Sequence, residues 1–247
     1  METLKLINLT KHYKKKHAVN GITLTINKGD VLGLLGENGA GKSTTMGMIA
    51  TLIKPDDGDV FIDNESVVIH PEIMKKRLGY VPQDIALYPM LSGLDNLKFW
   101  GKLYHLKKNE LEIAIKNVSE IISLSKEDLN RKVSEYSGGM KRRVNIGAAL
   151  LHDPELVIMD EPTVGIDVKS RNQITDAILE LNKNGKTIIY SGHYMPEMEK
   201  ICNRICMLDA GNIKFEGYLK ELLVEDGKDI SLEEFYLKKT QDFKEEI

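Results

Sequence analysis

The sequence predicts an α/β protein: a parallel sheet with an antiparallel edge, and a helical subdomain set inside the chain rather than after it. Three observations predict it. Two runs, Leu4-Lys5-Leu6-Ile7-Asn8-Leu9 and Ile22-Thr23-Leu24-Thr25-Ile26, alternate apolar and polar residues, the pattern of strands with one wet face. Three others, Val31-Leu32-Gly33-Leu34-Leu35, Leu156-Val157-Ile158-Met159 and Thr187-Ile188-Ile189-Tyr190-Ser191, are apolar almost throughout, as strands covered by helices on both faces of a parallel sheet are. Between them, from about residue 86 to 151, the apolar period becomes helical.

In chain order, the first two runs form the antiparallel edge and Val31 to Leu35 the first buried strand, which breaks into a glycine-rich turn. A helix is expected over residues 44–51. In the inserted stretch Ser92 and Asp95 read as a capping box, after which Leu94, Leu97, Trp100 and Leu103 form one apolar stripe. Leu111, Ile115, Val118 and Ile122 repeat that spacing. The expected organisation is one domain, with its core over residues 1–85 and 152–223, the helical subdomain over 86–151, and a short, acidic, helical and exposed tail over 224–247.

The chain has 247 residues and a net charge of −3 from 34 basic and 37 acidic side chains, which is not the profile of a nucleic-acid wrapper. At 42% hydrophobic and 29% charged residues it is an ordinary globular composition, excluding disordered, collagen-like and disulfide-stapled classes. No apolar run approaches the roughly 20 residues of a membrane-spanning helix, and Met1-Glu2-Thr3 opens no secretory signal, so a cytosolic location is expected. Cys202 and Cys206, four residues apart, admit metal or redox chemistry, but two reduced, buried thiols are the favoured reading.

Gly36-Glu37-Asn38-Gly39-Ala40-Gly41-Lys42-Ser43 fits G-x-x-x-x-G-K-[ST], directly after a buried strand and before a helix. A glycine-rich turn can simply join a strand to a helix; here the flanks and the Lys-Ser pair favour a phosphate cradle. Curled backbone N–H groups and the positive end of the helix face the anion, Lys42 adds a point charge, and Ser43 offers its hydroxyl to Mg²⁺. Asp160, closing the second buried strand, suits a magnesium ligand, and Glu161 beside it can polarise an attacking water. Without a phosphate loop in the chain, Asp160-Glu161-Pro162 would sooner read as a solvated strand-to-loop boundary; the loop's presence reverses that. Ser137-Gly138-Gly139-Met140, before a helical run through Val144, Ile146, Ala148 and Leu151, is a second place where backbone N–H groups can meet an anion.

With two phosphate-binding devices in one chain, the sequence resembles the ATP-binding-cassette family of ATPases from Leu4 to about Leu223. The resemblance implies a P-loop NTPase core with a mixed sheet, and an ATP-hydrolysing activity that uses Mg²⁺. By that resemblance Tyr13 stacks on adenine, Gly36 to Thr44 hold the phosphates, and Gln83 touches Mg²⁺ and the attacking water. Ser137, Gly138 and Gly139 correspond to the signature that meets the γ-phosphate of a second cassette, and Asp160 and Glu161 to the magnesium ligand and catalytic carboxylate. Asp167 falls in the loop that crosses the dimer interface, and His193 corresponds to the switch histidine on the γ-phosphate. Taken alone, Tyr13 reads as a surface aromatic beside the solvated Lys14-Lys15-Lys16 run, and His193 as a turn residue; Met46 and Met48 read as packing.

Tyr136 and Met140 depart from the family's usual Leu and Gln, at positions that do not contact phosphate. That form, with Thr163-Val164-Gly165-Ile166-Asp167 and a single short cassette, resembles ATPase subunits of small bacterial exporters of drugs, antibiotics or lipid-linked cargo. The implied partners are a membrane-spanning permease and a second cassette, in a homodimer, with the chain peripheral on the inner face of the membrane and no nucleic acid. A relative acting on the ribosome or nucleic acid is the alternative, disfavoured by the absence of positive surface, of a second cassette and of long coiled coils.

Overall fold

The computed structural model describes residues 2–14, 16–225 and 227–245; Lys15 of the basic run and the end of the tail at 246–247 lie outside the described residues. The chain opens with β1 (Glu2–Tyr13), β2 (Lys16–Asn27), β3 (Val31–Leu35) and α1 (Lys42–Ile49), followed by β4 (Asp57–Ile62), β5 (Glu65–Ser66), α2 (Pro71–Arg77) and β6 (Leu78–Val81). Four helices follow: α3 (Gly93–Leu103), α4 (Lys108–Ile121), α5 (Lys126–Asn130) and α6 (Gly138–Leu150). The chain then returns through β7 (Leu156–Asp160), α7 (Val168–Lys183), β8 (Thr187–Ser191), α8 (Met195–Ile201), β9 (Arg204–Asp209) and β10 (Asn212–Tyr218). It closes with α9 (Leu219–Leu222), β11 (Val224–Glu225), β12 (Lys228–Asp229) and α10 (Leu232–Glu245).

Two sheets organise these elements. A four-stranded antiparallel sheet runs β2-β1-β4-β5, and a six-stranded sheet runs β10-β9-β3-β8-β7-β6, parallel except for its β10 edge. The fold is α/β with a mixed sheet, as the sequence predicts. The period-2 geometry of a strand explains the apolar runs: Val31 and Leu35 face one core, while Leu32 and Leu34 face the other. Val157 and Met159 point with the first set, and Leu156 and Ile158 with the second. The alternating runs of β1 and β2 bury Leu4, Leu6, Leu9, Ile22, Leu24 and Ile26 in the second core. Met46 and Met48 of α1 are buried there too, as packing residues.

Local differences from expectation have physical causes. Helix α1 begins at Lys42, not Thr44, because Gly41 closes the preceding loop at φ +108° and its carbonyl accepts from the Thr45 N–H at 2.8 Å, so helical bonding starts at the loop. Ser92 caps α3 by accepting from the Asp95 N–H at 3.0 Å, but the Asp95 carboxylate takes the Ser92 hydroxyl at 2.7 Å, so the reciprocal half of the capping box is not made to the backbone. Leu97 is fully buried while Leu103, at the end of α3, is 57% exposed and leaves the stripe. Past Gly217 the chain is not simply an exposed helical tail: β11 and β12 pair as a short hairpin, and Leu232 and Phe235 of α10 are buried, with Phe235 edge-on to Phe215 at 4.9 Å. Cys202 and Cys206 are free, buried thiols pushed up by desolvation, Cys206 to about 12, so both are protonated and unreactive.

Candidate active site at the carboxyl ends of the parallel strands

Four neighbouring strands, β3, β8, β7 and β6, end on the same side of the sheet, and each delivers a polar group there. β3 opens into the loop from Gly36 to Ser43. Gly36, Gly39 and Gly41 all have positive φ, and a Cβ at Gly36 would lie 2.3 Å from the Leu208 carbonyl oxygen and one at Gly41 2.4 Å from that of Ala18. Only glycine fits either position. Ala40 closes the curl through its N–H to the Glu37 carbonyl at 3.1 Å. Lys42 is 6% exposed, and its ammonium donates to the carbonyls of Gly36 at 2.7 Å and Glu37 at 3.2 Å. Burial pushes its pKa down, and the charges of Glu161 and Asp160 oppose that shift.

The acids stand opposite. Asp160, the last residue of β7, is 4% exposed and accepts the Ser191 hydroxyl at 2.7 Å. The same hydroxyl accepts the Glu161 N–H at 3.0 Å, so one serine of β8 fixes both acids. Glu161 sits at φ +47°, a conformation few non-glycine residues adopt, which turns its side chain out of the strand line. Its two carboxylate oxygens are taken from two sides: Gln83 Nε2 donates to Oε2 at 3.0 Å and His193 Nε2 to Oε1 at 2.6 Å. Gln83 comes from the segment after β6, and His193 from the segment after β8.

These groups line one cleft of about 450 Å³: Tyr13, Asn38, Gly39, Gly41, Lys42, Ser43, Thr44, Gln83, Glu161 and His193, with Ala18 and Val164. Gly36, Glu37 and Ala40 complete the loop, and Asp160 lies buried next to Glu161. The phosphate-loop residues, the two acids, Gln83 and His193 are therefore brought together. Ser137, Gly138 and Gly139 do not line the cleft. Ser137 caps α6 by accepting the Met140 N–H at 3.2 Å, and it and Gly138 are exposed. Gly139 is packed so closely against Ser170 that a Cβ there would lie 1.9 Å from its hydroxyl. Asp167 caps α7 through the Ser170 N–H at 2.9 Å, a bond that holds its carboxyl below the usual range.

The oxygen donors at the cleft, a hydroxyl at Ser43 and an amide at Gln83, with the Asp160 carboxylate buried behind Glu161, are the hard, sparse set that Mg²⁺ takes when phosphates and water fill its other positions. Among the described residues there is no group of three or more His, Cys, Asp or Glu placed to hold a metal ion by themselves.

Comparison with known proteins agrees with this geometry. The family model described as ABC transporter matches residues 19–164. The linearmycin resistance ATP-binding protein LnrL of Bacillus subtilis (strain 168) is 46% identical over 222 residues, covering 90% of this chain and 71% of that protein. The chain belongs to the ABC transporter family. Its similarity extends to the Nod factor export ATP-binding protein I of Rhizobium etli, 35% identical over 91% of this chain and 71% of that one. A solved ATP-binding cassette, dimeric and bound to ADP and Pi in a post-hydrolysis state, superposes with a TM-score of 0.79 at 29% identity, covering 87% of this chain and 98% of that chain. This ABC protein is thus an ATP-binding subunit of a transporter and an ATP hydrolase with the P-loop fold.

Sequence reasoning missed three residues that shape the site. Ser191 was legible only as the end of a strand, although its place two residues before His193 is a usable signal. Arg142 of α6 donates from its two terminal nitrogens to the carbonyls of Pro82 at 2.8 Å and Gln83 at 2.6 Å, fastening the segment that carries Gln83. Asn145, one turn on, accepts the Ala86 N–H at 3.0 Å. Nothing in the one-dimensional pattern separates these two from other polar residues of a helix.

Proposed function

We propose that this chain powers a membrane-spanning permease by closing head to tail on ATP with a second, identical copy, as part of an exporter of drug, antibiotic or lipid-linked cargo. The observation that carries the reading is the separation of the two phosphate-binding devices. The loop from Gly36 to Thr44 lies in the cleft, while Ser137 to Gly139 sit outside it at a helix start where Ser137 and Gly138 are exposed. A nucleotide held by both needs a second chain. The exporter reading draws support from relatives named for linearmycin resistance and Nod factor export.

In this reading Tyr13 stacks on the base, the loop N–H groups and Lys42 bind the phosphates, and Glu161 orients and polarises the attacking water. Ser43, Gln83 and Asp160 would hold Mg²⁺, which neutralises charge on the phosphates when bound. Lys42 must leave the Gly36 and Glu37 carbonyls to meet phosphate, and His193 and Gln83 must exchange their bonds to Glu161 for bonds to nucleotide or water. Binding therefore trades internal bonds for external ones at little desolvation cost. The proposed units are a nucleotide-binding core over 1–85 and 152–223, a helical signature subdomain over 86–151 and a C-terminal tail over 224–247. The permease docks a cytoplasmic segment in the groove of about 810 Å³ between α2, β6 and the helices α3 and α6, lined in part by Leu52, Trp100, Leu103 and Tyr104. The chain then works at the inner face of the cell membrane, from the cytoplasm; among the described residues no helix is long and apolar enough to cross a membrane itself.

Tagged protein drawn from native membranes in mild detergent tests this reading. A stoichiometric multi-span membrane protein among the co-purifying chains supports it; ribosomal proteins or nucleic acid without a membrane chain overturn it.

A further inference from the structure

Behind the acids lies a buried polar network that the mechanism above does not use. Thr163, Thr175, Tyr190 and Glu197 are all at least nine-tenths buried, and they come from four different parts of the fold: the loop after Glu161, α7, β8 and α8. Thr163 Oγ1 donates to Glu197 Oε2 at 2.9 Å, and Thr175 Oγ1 donates to Glu197 Oε1 at 3.3 Å. With its one proton committed to Glu197, Thr163 must accept from the Tyr190 hydroxyl, 3.0 Å away. Burial and the nearby Glu197 charge keep that phenol protonated and able to donate.

A carboxylate 5% exposed is expensive to keep in a core, and among the described residues no lysine or arginine pairs with it. Two hydroxyl donors satisfy it, so the network is complete rather than accidental. Its position is informative. Thr163 lies two residues after Glu161, whose φ of +47° is strained, and Tyr190 immediately precedes Ser191, whose hydroxyl holds both Asp160 and the Glu161 N–H. The Tyr190–Thr163–Glu197 chain therefore closes a small frame around the turn from Asp160 to Thr163, opposite the Ser191 bonds.

We infer that Glu197, acting through Thr163, is a positioning residue that holds the Glu161 turn in its left-handed form and so aims the Glu161 carboxylate. This rests on the assignment of Glu161 as the group that polarises water. A carboxylate with two acceptor oxygens suits the task because it binds Thr163 and Thr175 at once and ties α7 and α8 to the loop between them.

The test is phosphate release and nucleotide binding by the full chain carrying Thr163→Val, Thr163→Ser, Glu197→Gln or Thr175→Val. Misplacing a reacting group by a fraction of an ångström to one ångström costs up to about 100-fold, so Thr163→Val and Glu197→Gln are expected to lower kcat by about 10-fold or more. Their KM and Kd for ATP stay within about threefold, because the phosphate loop is untouched. Thr163→Ser, which keeps the hydroxyl, restores kcat to within about threefold of the parent. Thr175→Val removes a donor to the same carboxylate from α7 instead of the Glu161 loop, and it lowers the melting temperature as Thr163→Val does but reduces kcat less. Parental kcat in folded Thr163→Val and Glu197→Gln, or equal losses of kcat in Thr163→Val and Thr175→Val, would overturn the inference. If Thr163→Val does not fold, Glu197→Gln and Thr163→Ser decide it alone. Parental hydrolysis in Glu161→Gln is the distinct result that removes the underlying assignment.

Discussion

Two concave regions of the molecule treat their polar groups differently. In and behind the cleft beside the phosphate loop the lysine and the acids bond their neighbours: Lys42 to Gly36, Ser191 to Asp160, and Gln83 and His193 to Glu161. In the larger groove between α2, β6 and the helical insertion, Trp100 Nε1, Asn145 Nδ2 and His152 Nδ1 are buried with no partner among the described residues. An unmet buried polar group costs about 1–3 kcal/mol. The lysine and acids of the cleft bond their neighbours without ligand, whereas the groove leaves these nitrogens without a partner among the described residues, the pattern expected if the proposed permease segment covers it.

The largest effect is expected at Glu161 in the cleft. Glu161→Gln keeps the size but leaves one oxygen to accept from Gln83 or His193 and loses the charge proposed to polarise water, so phosphate release is expected to fall by about 100-fold or more while ATP affinity stays within about threefold. Steady-state phosphate release with parallel nucleotide titration checks it; hydrolysis at the parental rate removes Glu161 from the role. Lys42→Ala is expected to act on binding, lowering ATP affinity by about 10- to 100-fold through the lost charge-assisted bonds, as read by calorimetry.

At the groove the effects are smaller and opposite in kind. Trp100→Phe removes an unmet donor, so urea unfolding of the isolated chain should show stability unchanged or raised by up to about 1 kcal/mol, while recovery of the membrane partner falls. A clear loss of stability would mean that the indole N–H is already satisfied and the groove is not waiting for a partner. The smallest effect concerns pH. His152 stacks on Tyr104 at 4.0 Å, and its Nε2 donates to the Leu78 carbonyl at 3.1 Å, leaving Nδ1 unmet. Burial pushes its pKa below the ordinary 6.5, with the Leu78 carbonyl opposing. The unfolded chain therefore binds a proton more readily than the folded one, and the stability contributed by neutral His152 is full above pH 6.5 and is lost as pH falls through the lower, folded pKa. Denaturation midpoints from pH 7.5 down to about 5 should show a slope that His152→Phe, which keeps the ring stack, makes shallower.

The cleft was more legible in the sequence than the groove, for a physical reason. Strand ends and tight loops confine chemistry to short windows, so Gly36 to Ser43 and Asp160-Glu161 carry their meaning in local order. Tyr13 gained meaning only from family resemblance, and His193 from that resemblance and from its place just past the carboxyl end of a buried strand; the structure puts both in the same cleft as Lys42. The bonds that fix the site are long-range: Ser191 to Asp160 spans 31 residues and Arg142 to Pro82 60, and no periodicity encodes such pairs. The groove is harder still, because its lining is drawn from α2, β6, α3, α6 and the turn after α6, and its unmet nitrogens sit on residues that look like ordinary helix side chains. The exposed end of the Leu94 to Leu103 stripe and the buried Leu232 and Phe235 of the tail were misjudged for the same reason, since burial depends on which element packs above them.

If each ATP is shared by two copies of this chain, as proposed, light scattering of the Glu161→Gln protein with and without Mg²⁺-ATP will show it. The expected mass is that of one chain without nucleotide and of two with it, and that of one chain with nucleotide once Ser137→Arg is added to a protein that still binds ATP. A persistent two-chain mass in that double variant, or a single-chain mass in Glu161→Gln at saturating ATP, would contradict it.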